Sequence, residues 1–241
     1  LGTQQFSAFA TDDVAALSTS QWMSLGTAQI AMLSTAQLGW LSTAQIPALT
    51  TTQVRGLLSA QVSGLGTAQI AALGTAQLLS LSTSQVTAIE TEDLAVLGTS
   101  QLQSLSTQQL SVLATQQFNA FGTSQLSRLT TDQLLSLGTL PLSTLDDTDL
   151  QSLTTAQVGS LSTSQIGWLT TSQLTSLATS QLSSLSTQQL QAISTLQLVG
   201  LSADQVAALS TAQYLALSTT QIASLSASQV SILETADLRV L

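Results

Sequence analysis

The chain has 241 residues, with three cationic side chains against twelve acidic ones, no His, no Cys and a net charge of −9. Contacts to phosphate backbones or an anionic bilayer need clustered Lys and Arg, so a nucleic-acid partner and an anionic membrane surface are excluded as expectations. The missing Cys and His remove disulfides, thiol chemistry and the usual zinc sites, and no apolar run of about eighteen residues is present for membrane insertion.

From Leu1 the sequence repeats in eights without a slip, and Leu241 opens a further copy after thirty complete octads. The octad positions are labelled a to h, so that residues 33–40, LSTAQLGW, form one copy. Position a is Leu, Ile or Phe in every copy, and f is apolar from Phe6, Val14 and Trp22 to Val230 and Leu238. Position c is Thr in 26 of 30 copies and e is Gln in 25, so two polar positions are held as firmly as the apolar ones. A perfect short period reads as one small unit copied and stacked. The expectation is a single uninterrupted array over residues 1–241. Neither end carries an atypical polar copy, so the chain reads as a slice of a longer tract.

Eight residues do not suit one continuous element. A straight α-helix gains about 100° per residue, so the apolar stripe would drift around it within a few copies. In one strand, a and f would face opposite sides. Each octad therefore contains a break. With b as N-cap, Ser34 with Gln37 and Ser186 with Gln189 form the capping-box pair, and a and f take the hydrophobic-staple positions. The fold expected is all-α, a superhelical solenoid with one very short helix per octad, running from c to the next a around an apolar axis. Such helices are too short to stand alone and must be held by neighbours, with Thr at c and Gln at e suited to hydrogen-bond adjacent copies. The alternative is a β-solenoid, favoured by Val and Ile at f (Val54, Val62, Ile70, Val86) and by the Thr ladder, but opposed by the many Ala and Gln residues.

In chain order, individual octads add detail. Asp13, Asp93, Asp149 and Asp237 replace Gln at e, in the first helical turn where the dipole favours negative charge. Gly26, Gly66, Gly74, Gly98, Gly122 and Gly138 stand at b, where a left-handed residue ends one helix and starts the next. Phe6, Trp22, Phe118 and Tyr214 at f, with Phe9 and Phe121 at a, belong to the core. Trp40 and Trp168 at h are expected to be partly buried at a seam between copies; stacking on sugars or a partner is the alternative. Pro47 at g removes an amide from the fifth helical position, so either that octad is distorted or the helices are shorter than drawn. Pro141 at e sits in the first turn, where it is tolerated better.

No catalytic constellation is visible, since the many Ser residues have no base beside them. No catalytic, cofactor or metal residue is assigned, and the chain is read as no enzyme and as needing no cofactor. Asp146, Asp147 and Asp149 put three carboxylates into four residues and raise the question of calcium, but the spacing matches no EF-hand loop. Solvated helix starts explain them better. A regular Thr array can order water, as ice-binding solenoids do, or bind a flat surface, and its simpler role is backbone capping.

Copies such as Leu65-Gly66-Thr67-Ala68-Gln69-Ile70-Ala71-Ala72 resemble the L-[ST]-T-x-Q-[VIL]-x-x arrays of very large repetitive proteobacterial proteins. Those are described as RTX-like or as haemagglutinin-type adhesion proteins. The resemblance covers the whole chain and implies an extracellular or cell-surface structural tract with no active site to carry over. The expected function is a spacer, stalk or filament-forming segment of an adhesin-like protein. The expected partners are other copies of the tract, with glycan or surface contact possible. The alternative is a binding module whose repeated face grips ice, a glycan or itself.

Overall fold

The computed structural model describes residues 9–233, excepting the side chain of Thr11; Phe6, Asp237, Leu238 and Arg239 lie outside this range. Among the described residues every regular element is helical and no strand occurs, which excludes the β-solenoid. Among the described residues each octad but the sixth contributes one helix of four to six residues starting at c, from Thr83–Val86 to Thr163–Trp168.

The helices stop at f, g or h, short of the expected a. The last bond is tightened: the a-position N–H reaches only three residues back, as in Leu57 to Val54 (3.2 Å) and Leu169 to Ile166 (3.2 Å). This 3₁₀-like closure at a helix end satisfies a carbonyl that the α pattern would leave open. The corner differs from expectation. No described residue has positive φ, so the glycines at b are not left-handed. Instead a and b are both extended, as in Leu161 (φ −59°, ψ 145°) followed by Ser162 (φ −68°, ψ 158°), and Gly66 matches them (φ −81°, ψ 163°). Any L-residue adopts that conformation, so b is free to carry a capping side chain.

Pro47 has both consequences set out for it. Octad six lacks an α-helix and forms a 3₁₀ turn over Ile46–Ala48, because proline has no N–H for the bond that Thr87 makes to the Thr83 carbonyl elsewhere. The other helices are also shorter than expected. Pro141 leaves an α-helix over Thr139–Ser143.

The chain divides into two compact units at Phe121 and Gly122. Within each unit a helix stacks on the one three octads away. In the first, Thr51–Arg55 lies on Thr75–Ser80, which lies on Thr99–Ser104; in the second, Asp147–Ser152, Thr171–Ser176, Thr195–Gly200 and Thr219–Ser224 form one column. Each unit is thus a solenoid of short helices. Side chains at f are buried from Val14 to Tyr214, and those at a from Leu33 to Leu217. Burying one such Leu or Val is worth about 1.5–3 kcal/mol, and this apolar axis holds helices that cannot form alone. Phe118 and Phe121 fill it in the first unit with an edge-to-face contact (centroids 5.7 Å apart, rings at 89°). Two polar aromatics enter the core differently. Tyr214 donates its hydroxyl to the Val206 carbonyl, whereas Trp22 Nε1 is the buried side-chain polar atom left without a partner among the described residues.

Candidate functional site

The feature built by every regular octad is a clamp centred on Gln at e. Extended b and helical c to e place the b amide within reach of the Gln side chain. Gln53 accepts the Thr50 N–H on Oε1 at 2.8 Å, and Thr50 Oγ1 accepts the Gln53 N–H at 3.2 Å, completing the capping box. Where b is Gly the hydroxyl half is lost, but the Gln half persists, as from Gly66 to Gln69 (2.9 Å). The other end of the amide works across the coil. Gln53 Nε2 donates to the carbonyls of Trp22 (2.7 Å) and Leu25 (2.8 Å), which lie 31 and 28 residues back. Gln157 does the same in the second unit, to Leu126 (2.9 Å) and Leu129 (2.8 Å).

Those carbonyls lie at the end of an earlier helix, where Trp22 O also accepts the Leu25 N–H (3.2 Å) and Leu25 O, just past the helix, has no intrahelical donor. A single side chain therefore satisfies the start of its own helix and the end of another. Only an uncharged amide carries the required acceptor and two donors; Glu lacks the donors and Lys the acceptor. The clamp survives in octad six, where Gln45 accepts from Ser42 (2.8 Å) and donates to Ala15 (2.9 Å) and Leu17 (2.6 Å) despite Pro47.

Thr at c behaves otherwise than expected. The capping hydroxyl is at b, and c presents its methyl to the small h residue of another coil. A Cβ built on Gly64 would lie 2.8 Å from Thr35 Cβ, and one on Gly200 only 2.5 Å from Thr171 Cγ2. Inter-coil bonds from c do occur, from Ser59 Oγ to the Ser84 carbonyl (3.2 Å) and from the Thr67 hydroxyl to Asp93.

The acidic residues take local roles. Asp146 Oδ1 caps its helix by accepting the Asp149 N–H (2.8 Å), and Asp147 Oδ2 accepts from Ser172 Oγ (3.0 Å). Among the described residues no three such groups converge to hold a metal ion. Burial raises the pKa of Asp149, the Asp146 charge adds to it, and the backbone bond opposes both. Asp13 keeps only the acceptor half of the clamp, taking the Ala10 N–H at 3.2 Å. Asp93 is buried in the Gln column, and its pKa is raised by that burial and by Glu92, against the Thr67 bond.

Trp40 and Trp168 correct the sequence reading. They are 59% and 66% exposed, and no seam covers them. In the first unit two open grooves run between coils. One of about 330 Å³ is lined by Arg55, Ser82, Thr83, Ser106 and Gln108; the other, about 710 Å³, runs past Gly39, Leu41, Ser42, Gly64 and Thr67. No described helix is long and apolar enough to cross a membrane.

The sequence-family model of the ALTTAQ repeat matches residues 6–43, 20–51, 86–123, 142–179 and 176–211, together more than half of the chain. No curated protein matches.

Proposed function

Because the chain belongs to the ALTTAQ repeat family, we propose that it is a non-enzymatic structural tract, a spacer or stalk segment of a secreted or surface adhesin-like bacterial protein. The observation that carries this reading is the sameness of the clamp. Gln37, near the start of the described residues, donates 28 residues back to Phe9, and Gln229, near their end, donates 28 residues back to Leu201. A chain that invests the same polar group in the same bond at each regular octad gains length, and its mechanism is mechanical. Almost uncharged Ser, Thr and Gln surfaces also favour lateral contact between copies. The bacterial surface context rests on the resemblance to large repetitive adhesion proteins.

Two measurements test this. With spin labels near either end of the second unit, excision of residues 161–168 should shorten the label distance and leave helix content per residue unchanged. Excision of 161–164 should put a and f out of phase and lower it. Equal damage from both deletions would overturn the spacer mechanism. For location, protease added to intact producing cells should cleave the tract; protection until lysis would overturn the extracellular reading.

A further inference from the structure

The groove of about 330 Å³ in the first unit holds a charge that the fold does not use. Arg55 is the single charged side chain between Val14 and Ile89, and it lines this groove from position g of its octad. Two stacked pairs of helices frame the groove, Thr51–Arg55 on Thr75–Ser80 and Thr83–Val86 on Thr107–Ser111. Among the described residues the Arg55 guanidinium meets no carboxylate and no hydrogen-bond acceptor. Three further donors on the same lining are also free. Ser82 Oγ accepts the Gln85 N–H at 3.3 Å and keeps its own proton. The Thr83 hydroxyl and the Gln108 side-chain amide have no hydrogen-bond partner among the described residues. Ser80 and Ser106 differ, since their hydroxyls donate to the Gln77 carbonyl (2.7 Å) and to Gln109 Oε1 (3.1 Å). The acids nearest to Arg55 in sequence stand elsewhere. Glu90, Glu92 and Asp93 belong to octad twelve, whose helix Thr91–Ala95 packs on Thr67–Ala71 and Thr115–Phe118, none of them a wall of this groove.

We propose that this groove binds a small hydroxylated monocarboxylate, of which a uronic acid is the type. The carboxylate pairs with Arg55, and the hydroxyls of the ligand meet Ser82, Thr83 and Gln108. A guanidinium fork matches a carboxylate through two parallel N–H···O bonds. One cation balances one negative charge, whereas a phosphate monoester brings about −1.5 to −2 and would leave charge unpaired. A fatty acid would strip water from three donors and return no acceptor to them. The volume sits at the lower end of the range of about 300–1,000 Å³ that small ligands occupy, so one sugar ring fits and a folded partner does not. The acids behind the net charge of −9 all lie outside residues 14–89, a stretch with one Arg and no acid, so the local field favours an anion. This site concerns a ligand and goes beyond the spacer reading, on which it does not rest.

The whole chain has three Arg, so isotope labelling of arginine nitrogen gives three side-chain Nε–H signals in its magnetic resonance spectrum. The one missing from Arg55→Gln belongs to Arg55. Glucuronate at neutral pH should move that signal saturably and leave those of Arg128 and Arg239 in place. Glucose, which lacks the carboxylate, should move none, and glucose 6-phosphate should bind more weakly than glucuronate. Saturation transfer to the sugar protons should show affinity at least about tenfold lower in Arg55→Gln, as expected for a lost charge-assisted pair. Gln108→Ala and Thr83→Val should each weaken binding by a smaller factor, and Arg128→Gln should leave it unchanged. Arg55 is exposed, so Arg55→Gln should keep the parent circular dichroism, which separates lost binding from lost fold. The proposal falls if the Arg55 signal stays in place, or if glucose moves it as glucuronate does. A common shift of all three signals would overturn it as well, because it marks nonspecific ion pairing. So would tighter binding of glucose 6-phosphate, or an Arg55 signal that moves with protein concentration alone, since a carboxylate of a second copy then fills the groove.

Discussion

Residues 81–88 and 89–96 are successive copies of one unit, and they put different groups in the same buried place. Gln85 accepts the Ser82 N–H at 2.8 Å and donates to the Val54 and Leu57 carbonyls at 2.9 and 2.8 Å. Asp93 is as buried, at 3% exposure against 2%, but its side chain is shorter and, when ionised, only accepts. It takes a bond from Thr67 and has no N–H to offer the carbonyls of Val62 and Leu65, which lie 31 and 28 residues back. Both octads keep a helix and a buried f residue, Val86 and Leu94. The apolar axis therefore fixes the architecture, and the donor half of the amide ties one coil to another.

The largest effects should come from removing either of those two contributions. Leu110→Ala, which empties a buried f position, should cost about 2–5 kcal/mol. Gln85→Leu leaves the Ser82 N–H and the Leu57 carbonyl unserved, while the Val54 carbonyl keeps the Leu57 N–H, and should cost about 2–4 kcal/mol. Urea denaturation gives both values, and amide exchange at Ser82 should accelerate only in the Gln85 variant. If Gln85→Leu were neutral, the clamp would have no energetic role.

Asp93→Gln sharpens the comparison from the other side. Restoring the donor should stabilise the first unit by about 1 kcal/mol at neutral pH. It should also flatten a pH dependence. The folded pKa of Asp93 lies above its ordinary 3.8, so its stabilising contribution is whole below that value and is lost as pH rises through the raised folded one. The helices packed on its own, Thr67–Ala71 and Thr115–Phe118, carry no charge, which leaves Glu90 and Glu92 on the same octad as the charged neighbours. Urea midpoints between pH 3 and 7 should decline for the parent and much less for Asp93→Gln. Identical slopes would show that other carboxylates set the trend.

The smallest effects concern the hydroxyl half of the clamp and the surface. Ser106 Oγ accepts the Gln109 N–H at 3.2 Å while Gln109 Oε1 takes the Ser106 N–H at 2.8 Å. Ser106→Ala removes the first bond and the one that Ser106 Oγ donates to Gln109 Oε1 (3.1 Å), keeps the second, and should cost about 0.5–2 kcal/mol. Gln103 at g is exposed, and Gln103→Ala should stay within about 0.5 kcal/mol of neutral. If Gln103→Ala were the costliest of these substitutions, the phase of the octad would be wrong.

The sequence made the helix start, the apolar axis and the one-helix octad legible because a, b, e and f act inside a single copy. What acts between copies was harder to read. A period of eight does not state how many octads make a coil, so the reach of Gln53 to Trp22 and Leu25 had no signature beyond the suitability of Gln for such bonds. The glycines at b suggested left-handed corners because Gly is the residue that permits them, yet an extended a–b pair turns the chain without one. Thr at c reads as a hydrogen-bonding ladder, while Thr35 and Thr171 use their methyls against Gly64 and Gly200. Trp40 and Trp168 were placed at a seam because h is otherwise small, but smallness there reflects the neighbouring coil's threonine, not space for an indole.

The extended corner has a consequence for ancestry. Since b accepts any ordinary backbone and asks for no special residue, one copy joins to any other with the same geometry. Misaligned recombination within such a gene splices whole octads in or out and produces a junction no different from its neighbours. Point changes at d, g and h then accumulate without erasing the frame, since neither the corner nor the clamp depends on them. Arrays of this kind can therefore change in length by whole octads, while a change that is not a multiple of eight puts a and f out of phase.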